Sequence, residues 1–123
     1  MNVTERFLKY VSYDTASDEF SSTCPSTDKQ KLLGTALVAE MLAMGIADAF
    51  MDENGYVYGT VPGDPSLPTI GLIAHMDTSP DYPDDPTNPQ IITNYDGGDI
   101  KLGDTEFVLS PSMFPFMKDY IGQ

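Results

Sequence analysis

Cysteine is almost missing from this sequence, and its scarcity excludes two kinds of chemistry. The single cysteine, Cys24, has no second thiol with which to form an internal disulfide. A catalytic cysteine needs an adjacent base, and the only histidine, His75, lies far along the sequence. We therefore interpret Cys24 as an ordinary loop residue.

Positive charge is also scarce. Six Lys and Arg residues stand against nineteen Asp and Glu residues, which gives a net charge of −13. The chain therefore lacks a basic footprint for nucleic acid and a basic run for an anionic membrane. We interpret the acidity as a solvated surface, and a field that attracts metal ions is the alternative.

Long apolar runs are missing as well. None approaches the roughly 20 residues that span a bilayer, and residues 1–6 lack the features of a signal peptide. The 123 residues, 41% of them hydrophobic, fit one globular domain or part of one. We expect a cytoplasmic protein that binds neither nucleic acid nor a membrane.

Two helices are predicted in the first third of the chain. Apolar residues at helical spacing predict a helix over 2–13, with Asn2 or Thr4 as its cap and an apolar stripe packed into the core. The second helix is predicted to open at 25–28, where Thr27 begins a capping box, and to stop at Gly45. The polar stretch between the two helices is interpreted as a connection.

Strand and turn signals follow the second helix. The pair Asn54-Gly55 predicts a hairpin between strands at 47–52 and 56–61. The other predicted elements are an extended loop over 81–89, a strand at 90–93, a flexible turn within 94–103, a strand at 106–109 and a short helix over 113–121.

The stretch 69–80 is the one around which the chain is organised. It begins as an apolar run after Pro68 and ends with a His-x-Asp triplet at His75 and Asp77. We predict a strand buried on both faces, as in a parallel sheet covered by helices. On a strand, side chains at i and i+2 share one side of the sheet. Both would then lie at the carboxyl end of the strand, where open α/β sheets bind their ligands.

From the residues alone, two interpretations of this pair stay open. A single histidine at a strand end is commonly a hydrogen-bonded structural residue with a capping carboxylate beside it. In the other interpretation, His75 binds a divalent metal while Asp77 accepts its second ring N–H, as is typical of zinc-bound histidines. The triplet is too short a motif to decide between them.

Seven sequence blocks cover almost the whole chain. They read ERFLxYVSxDT (5–15), PST (25–27), KLL (31–33), IxHxDTSPD (73–81), NPQI (88–91), NYxGGDIxLG (94–103) and LSPxMFP (109–115). Together these blocks resemble the peptidase T family, tripeptide aminopeptidases among the co-catalytic zinc peptidases, and the last three are the most specific.

The resemblance implies both a fold and a site. The fold class would be α/β, with this chain as the N-terminal part of a three-layer α/β/α zinc-peptidase catalytic domain that has a mixed sheet. His75 would be a ligand to one zinc of a pair. Asp77 would orient His75, at the position that the family treats as catalytic. The substrates would be small peptides, tripeptides in particular.

A two-zinc site needs more ligands than this chain offers, because the sequence contains one histidine. The resemblance implies that the remaining ligands, the glutamate base and a lid domain lie downstream. We therefore expect residues 1–123 to be the N-terminal segment of the catalytic domain. Alone, the segment is expected to bind zinc weakly, to be inactive and to associate with itself.

Two alternatives remain. One is a related zinc dipeptidase or amino-acid deacylase of the same superfamily. The other is a non-catalytic truncated module that associates through exposed sheet edges.

Overall fold

The computed structural model describes residues 1–81 and 88–123, which belong to two compact units. The first unit is Met1–Thr87 and the second is Asn88–Gln123. Helices and two small antiparallel sheets form the described parts, a composition consistent with the predicted α/β class. The three-layer arrangement with a mixed sheet stays a prediction. No helix within the described ranges is long and apolar enough to cross a bilayer.

The first unit consists of two helices and a hairpin. In chain order its elements are α1 (Val3–Tyr10), α2 (Gln30–Ala43), β1 (Phe50–Met51) and β2 (Val57–Tyr58).

Helix α1 begins with the predicted cap. The Asn2 side chain accepts a hydrogen bond from the Glu5 amide at 2.9 Å, and the Glu5 carboxylate accepts one from the Asn2 amide at 2.7 Å. The helix ends at Tyr10, short of the predicted residue 13. The prediction that its apolar stripe packs into the core was wrong, because Val3 and Phe7 are 82% and 61% exposed. No element of the described parts covers that side of the helix.

Helix α2 begins later than predicted. Its first residue is Gln30, and Lys29 stands at the N-cap without a side-chain capping bond. The predicted capping box is wrong because the Thr27 hydroxyl donates to the Ala16 carbonyl at 2.9 Å instead. The predicted stop is confirmed, since Gly45 has a φ of +92°, which suits a residue without a side chain.

The hairpin packs against α2. Strands β1 and β2 pair antiparallel, with Met51 opposite Val57, and Gly55 turns between them at a φ of +86°. The Asn54-Gly55 prediction is therefore confirmed, although each strand is two residues long. A Cβ on Gly34 would lie 2.5 Å from the Met51 sulfur, so glycine permits the close approach of helix and hairpin. Leu33 is 6% exposed in the small core between them.

The predicted buried strand within 69–80 is wrong. The structure assigns no strand to residues 69–77, and Ile70, Leu72 and Ile73 are 84–98% exposed. A strand needs neighbours to accept and donate its backbone hydrogen bonds. No strand of the described parts lies beside this run, so it stays an exposed segment without strand pairing.

The second unit contains one hairpin and a short helix. Its elements are β3 (Ile100–Lys101), β4 (Val108–Leu109) and a 3₁₀ helix (Pro115–Tyr120). Strand β4 lies within the predicted strand at 106–109, and the short C-terminal helix is confirmed with 3₁₀ geometry. The strand predicted at 90–93 is wrong, and β3 was not predicted within 94–103. Residues 82–87 of the predicted loop lie outside the described residues.

Tyr95 closes the second unit on itself. Its amide donates to the Gln123 carbonyl at 3.0 Å, and its carbonyl accepts from the Gly122 amide at 2.8 Å. Its hydroxyl donates to the Gly98 carbonyl at 2.6 Å. The ring is 8% exposed, so the turn at 94–98 and the C-terminal residues share one small core.

A charge cluster joins α1 to α2. Arg6 donates through Nε to the Glu40 carboxylate, and Lys9 Nζ lies 3.2 Å from the same group. The hydrogen bond from Arg6 is the main cause that holds the pKa of Glu40 below its ordinary value. Because α1 buries little apolar surface, this cluster is the principal tie between the two helices.

The pH dependence of stability tests this tie. A carboxyl group with a lowered pKa in the folded state stabilises the fold above its unfolded pKa, about 4.3. That contribution to stability disappears as the pH falls through the pKa of the carboxyl group in the folded state. We expect the urea concentration at the midpoint of unfolding, followed by the helical circular dichroism signal, to decrease as the pH is lowered below about 4.3. This decrease should be less steep in Glu40→Gln. Exposed Glu19→Gln serves as the control, and an equal slope in Glu40→Gln and the native chain would contradict the role of Glu40.

Candidate metal centre

His75 and Asp77 contact each other although their segment is not a strand. His75 Nδ1 lies 3.1 Å from Asp77 Oδ1. The separation is that of a hydrogen bond if Nδ1 carries the ring proton. The structure therefore brings together the two residues that the sequence singled out.

This contact has a consequence for the other ring nitrogen. When Nδ1–H donates to Asp77, the neutral imidazole keeps its lone pair on Nε2. Histidine binds metals through such a lone pair. A carboxylate that accepts a hydrogen bond from the other ring nitrogen makes the ring a better electron-pair donor. The His75 side chain is 84% exposed and that of Asp77 45%, so no described group covers the ring.

The backbone just beyond the pair is fixed to a distant loop. The Thr78 amide donates to the Thr15 carbonyl at 3.2 Å, and the Thr78 carbonyl accepts from the Ser17 amide at 3.0 Å. These bonds form a parallel bridge between Ala16 and Thr78. The serine hydroxyl donates to the same carbonyl, also at 3.0 Å.

The loop at 14–18 is itself held against the start of α2. Asp14 Oδ1 lies 2.5 Å from Lys29 Nζ, and the hydrogen bond from Lys29 lowers the pKa of the Asp14 carboxyl. Thr15 is 3% exposed, which makes it one of the most buried residues. The chain of contacts thus runs from α2 through the loop to the residue that follows Asp77.

One histidine and one carboxylate suit part of a zinc site, as a ligand and the group that orients it. The described residues, 1–81 and 88–123, contain no group of three or more His, Cys, Asp or Glu side chains that could hold a metal ion. Cys24 is exposed, and its thiol lies 3.9 Å from the Asn54 carbonyl, which fits an ordinary loop residue. The remaining ligands would have to come from elsewhere.

Sequence reasoning did not find the support from Thr15 and Ser17. The stretch around them was interpreted as a polar connection, because Ser and Thr are common in loops. The bond from Ser17 to Thr78 spans 61 positions, and a single sequence carries no signal for such a pairing. Beyond the bridge, the Ser79 hydroxyl donates to the Asp81 carboxylate at 3.0 Å.

Comparison with known proteins decides the family. The chain is 50% identical over 127 residues to a protein named Peptidase T from Alkaliphilus oremlandii, a match that covers 99% of this chain and 31% of the relative. Peptidase T from Parabacteroides distasonis is 51% identical over 126 residues, and that from Bacillus subtilis is 48% identical over 123. No family model matches the sequence.

The chain belongs to the peptidase T family. Identity near 50% over nearly every residue confirms the resemblance found in the sequence blocks. The chain spans about 30% of the length of the curated relatives it matches.

The tautomer of His75 tests the geometry of the pair. In chain labelled with ¹⁵N-histidine, the single histidine gives one pair of ring nitrogen signals, whose shifts report the ratio of Nδ1–H to Nε2–H forms at about pH 8.5. We expect Asp77→Ala to lower that ratio about two- to tenfold, the value of one hydrogen bond. Exposed Asp104→Ala is the control. An unchanged ratio in Asp77→Ala would show that the contact does not set the tautomer.

Proposed function

We propose that this chain supplies one ligand of the two-zinc site of an aminopeptidase that removes the N-terminal residue of tripeptides. The observation that carries the proposal is the 3.1 Å contact between His75 Nδ1 and Asp77 Oδ1, which leaves Nε2 directed to a partner other than Asp77. The family assignment supports a peptidase, since the similar proteins are named Peptidase T. Zinc and tripeptides come from the family resemblance, and the cytoplasmic location is the expectation drawn from the sequence.

Each residue of the pair has a separate task in this proposal. His75 holds zinc through Nε2. Asp77 accepts a hydrogen bond from Nδ1–H, which fixes the plane of the ring and raises the basicity of the ring. Zinc in such sites lowers the pKa of a bound water and polarises the peptide carbonyl. The general base and the other ligands lie outside the 123 residues, and the isolated chain is therefore inactive.

The exposed apolar run supports the same assignment. Ile70, Leu72 and Ile73 are exposed here, and on a strand their positions would place apolar side chains on both faces, as in an interior strand. We propose that in a complete enzyme this run becomes a strand in the sheet of a three-layer α/β/α domain. The flanking strands and the helices that cover them come from the roughly 70% of a family member's length that this chain does not span.

A second candidate function follows from the same exposure. Unpaired backbone and apolar side chains can add to the edge of another sheet, which would make the isolated chain a module that associates with itself. Sedimentation of the native chain and of Leu72→Lys tests this association. A native oligomer that Leu72→Lys disperses supports association through the exposed run, whereas a monomer in both would contradict the module.

The enzyme proposal is tested in a chimera. Peptidase T from Bacillus subtilis, 48% identical over the matched region, receives this chain in place of its own segment. We expect zinc-dependent hydrolysis of a tripeptide at about 1–1000 per second, and none from the isolated chain. His75→Ala should abolish turnover, and Asp77→Ala should lower it about 10- to 100-fold.

Controls make that result specific. Ser12→Ala, whose hydroxyl donates to the Lys9 carbonyl in the first turn after α1, should leave turnover unchanged. Dipeptides and acylated amino acids test the related zinc enzymes, which would prefer those substrates. Full activity of a zinc-loaded His75→Ala chimera would refute the assigned ligand.

A further inference from the structure

The backbone that carries His75 and Asp77 is fixed at one end. Residues 69–77 form no backbone hydrogen bonds with other residues that the structure describes, and their apolar side chains are exposed. The first fixed residue is Thr78, whose amide and carbonyl both bond to the loop at 15–17. The position of the pair in this chain therefore depends on that loop.

Two hydroxyl groups complete the connection from α2 to Thr78. The Thr27 hydroxyl donates to the Ala16 carbonyl at 2.9 Å, which fixes the middle of the loop. The Ser17 hydroxyl donates to the Thr78 carbonyl at 3.0 Å, alongside the Ser17 amide. Each bond joins segments that are not neighbours in the sequence, so each restrains one segment against another.

The rest of the loop is held well enough for these bonds to matter. Lys29 pairs with Asp14 at one end of it, and the Ser26 hydroxyl accepts from the Asp18 amide at 3.0 Å at the other. A bond to a mobile loop would restrain nothing. Here the loop is attached at both ends to the residues that lead into α2.

We propose that Ser17 and Thr27 are positioning residues for the His75–Asp77 pair. Thr27 fixes Ala16 and Ser17 fixes Thr78. Thr78 in turn holds the adjoining carboxylate of Asp77 where it accepts a hydrogen bond from His75 Nδ1–H. The inference rests on the proposed function, in which that hydrogen bond keeps Nε2 as the free donor for zinc. Neither hydroxyl touches the ring, and both act through the backbone.

The test measures the ring directly, in the full 123-residue chain without metal. Ser17→Ala and Thr27→Val each remove one hydroxyl, while Ser17→Thr and Thr27→Ser keep it. The Nδ1–H to Nε2–H ratio of ¹⁵N-labelled His75 is recorded for every variant at about pH 8.5. Hydrogen exchange of the Thr78 amide reports the bridge independently, and Ser12→Ala is the matched control.

We expect each hydroxyl deletion to lower the tautomer ratio and to speed exchange of the Thr78 amide, by about two- to tenfold. The two conservative variants should restore the native values, and Ser12→Ala should keep them. A purely structural role would change the circular dichroism or the urea midpoint and leave the tautomer ratio of the folded chain unchanged. That result would overturn the inference.

The inference and the proposed function fail in different ways. If the native ratio equals that of Asp77→Ala, the pair itself is not formed and the proposed function loses its support. The native tautomer ratio could instead exceed that of Asp77→Ala while Ser17→Ala and Thr27→Val both keep the native ratio. In that case only the positioning role is wrong. If Thr27→Val unfolds the start of α2, the test rests on Ser17→Ala alone. That variant removes only the hydroxyl and keeps the backbone hydrogen bond from residue 17 to Thr78.

Discussion

The bridge between Thr78 and the loop at 15–17 is the constraint on which the candidate site depends. It joins the end of the exposed segment to residues that are fixed against α2 by the Asp14–Lys29 pair and the Thr27 hydroxyl. Among the described residues, the chain from 69 to 77 forms no backbone hydrogen bond of its own, so this bridge fixes the backbone directly after Asp77. Without the bridge, the local contact of His75 with Asp77 would be one conformation among many.

The same structure explains why His75 and Asp77 can contact each other in a chain whose described residues offer no further cluster of ligands. A contact between residues i and i+2 forms locally, whereas a zinc site needs side chains from several separate segments. The described residues contain no such group of ligands, and the apolar run at 69–74 is exposed. Both facts agree with a segment that spans about 30% of the length of its relatives.

The sequence predicted what depends on near neighbours and missed what depends on distant ones. A cap at Asn2, predicted with Thr4 as the alternative, the Gly45 stop and the turn at Asn54-Gly55 are each determined within a few residues, and all three are confirmed. The Thr27 capping box failed because that hydroxyl bonds to Ala16, eleven positions away. The strand within 69–80 failed because a strand requires partners. The contact of His75 with Asp77 was anticipated for strand geometry and is present without it.

The most direct test of the account is the zinc environment of a complete peptidase T that carries this chain as its segment. Anomalous diffraction at the zinc edge locates the metal and its ligands. The account predicts that His75 Nε2 lies about 2.0–2.1 Å from one zinc, with the Asp77 carboxylate hydrogen-bonded to Nδ1 of the same ring. A zinc pair fully ligated by other residues, with the His75 ring turned away from both ions, would contradict it.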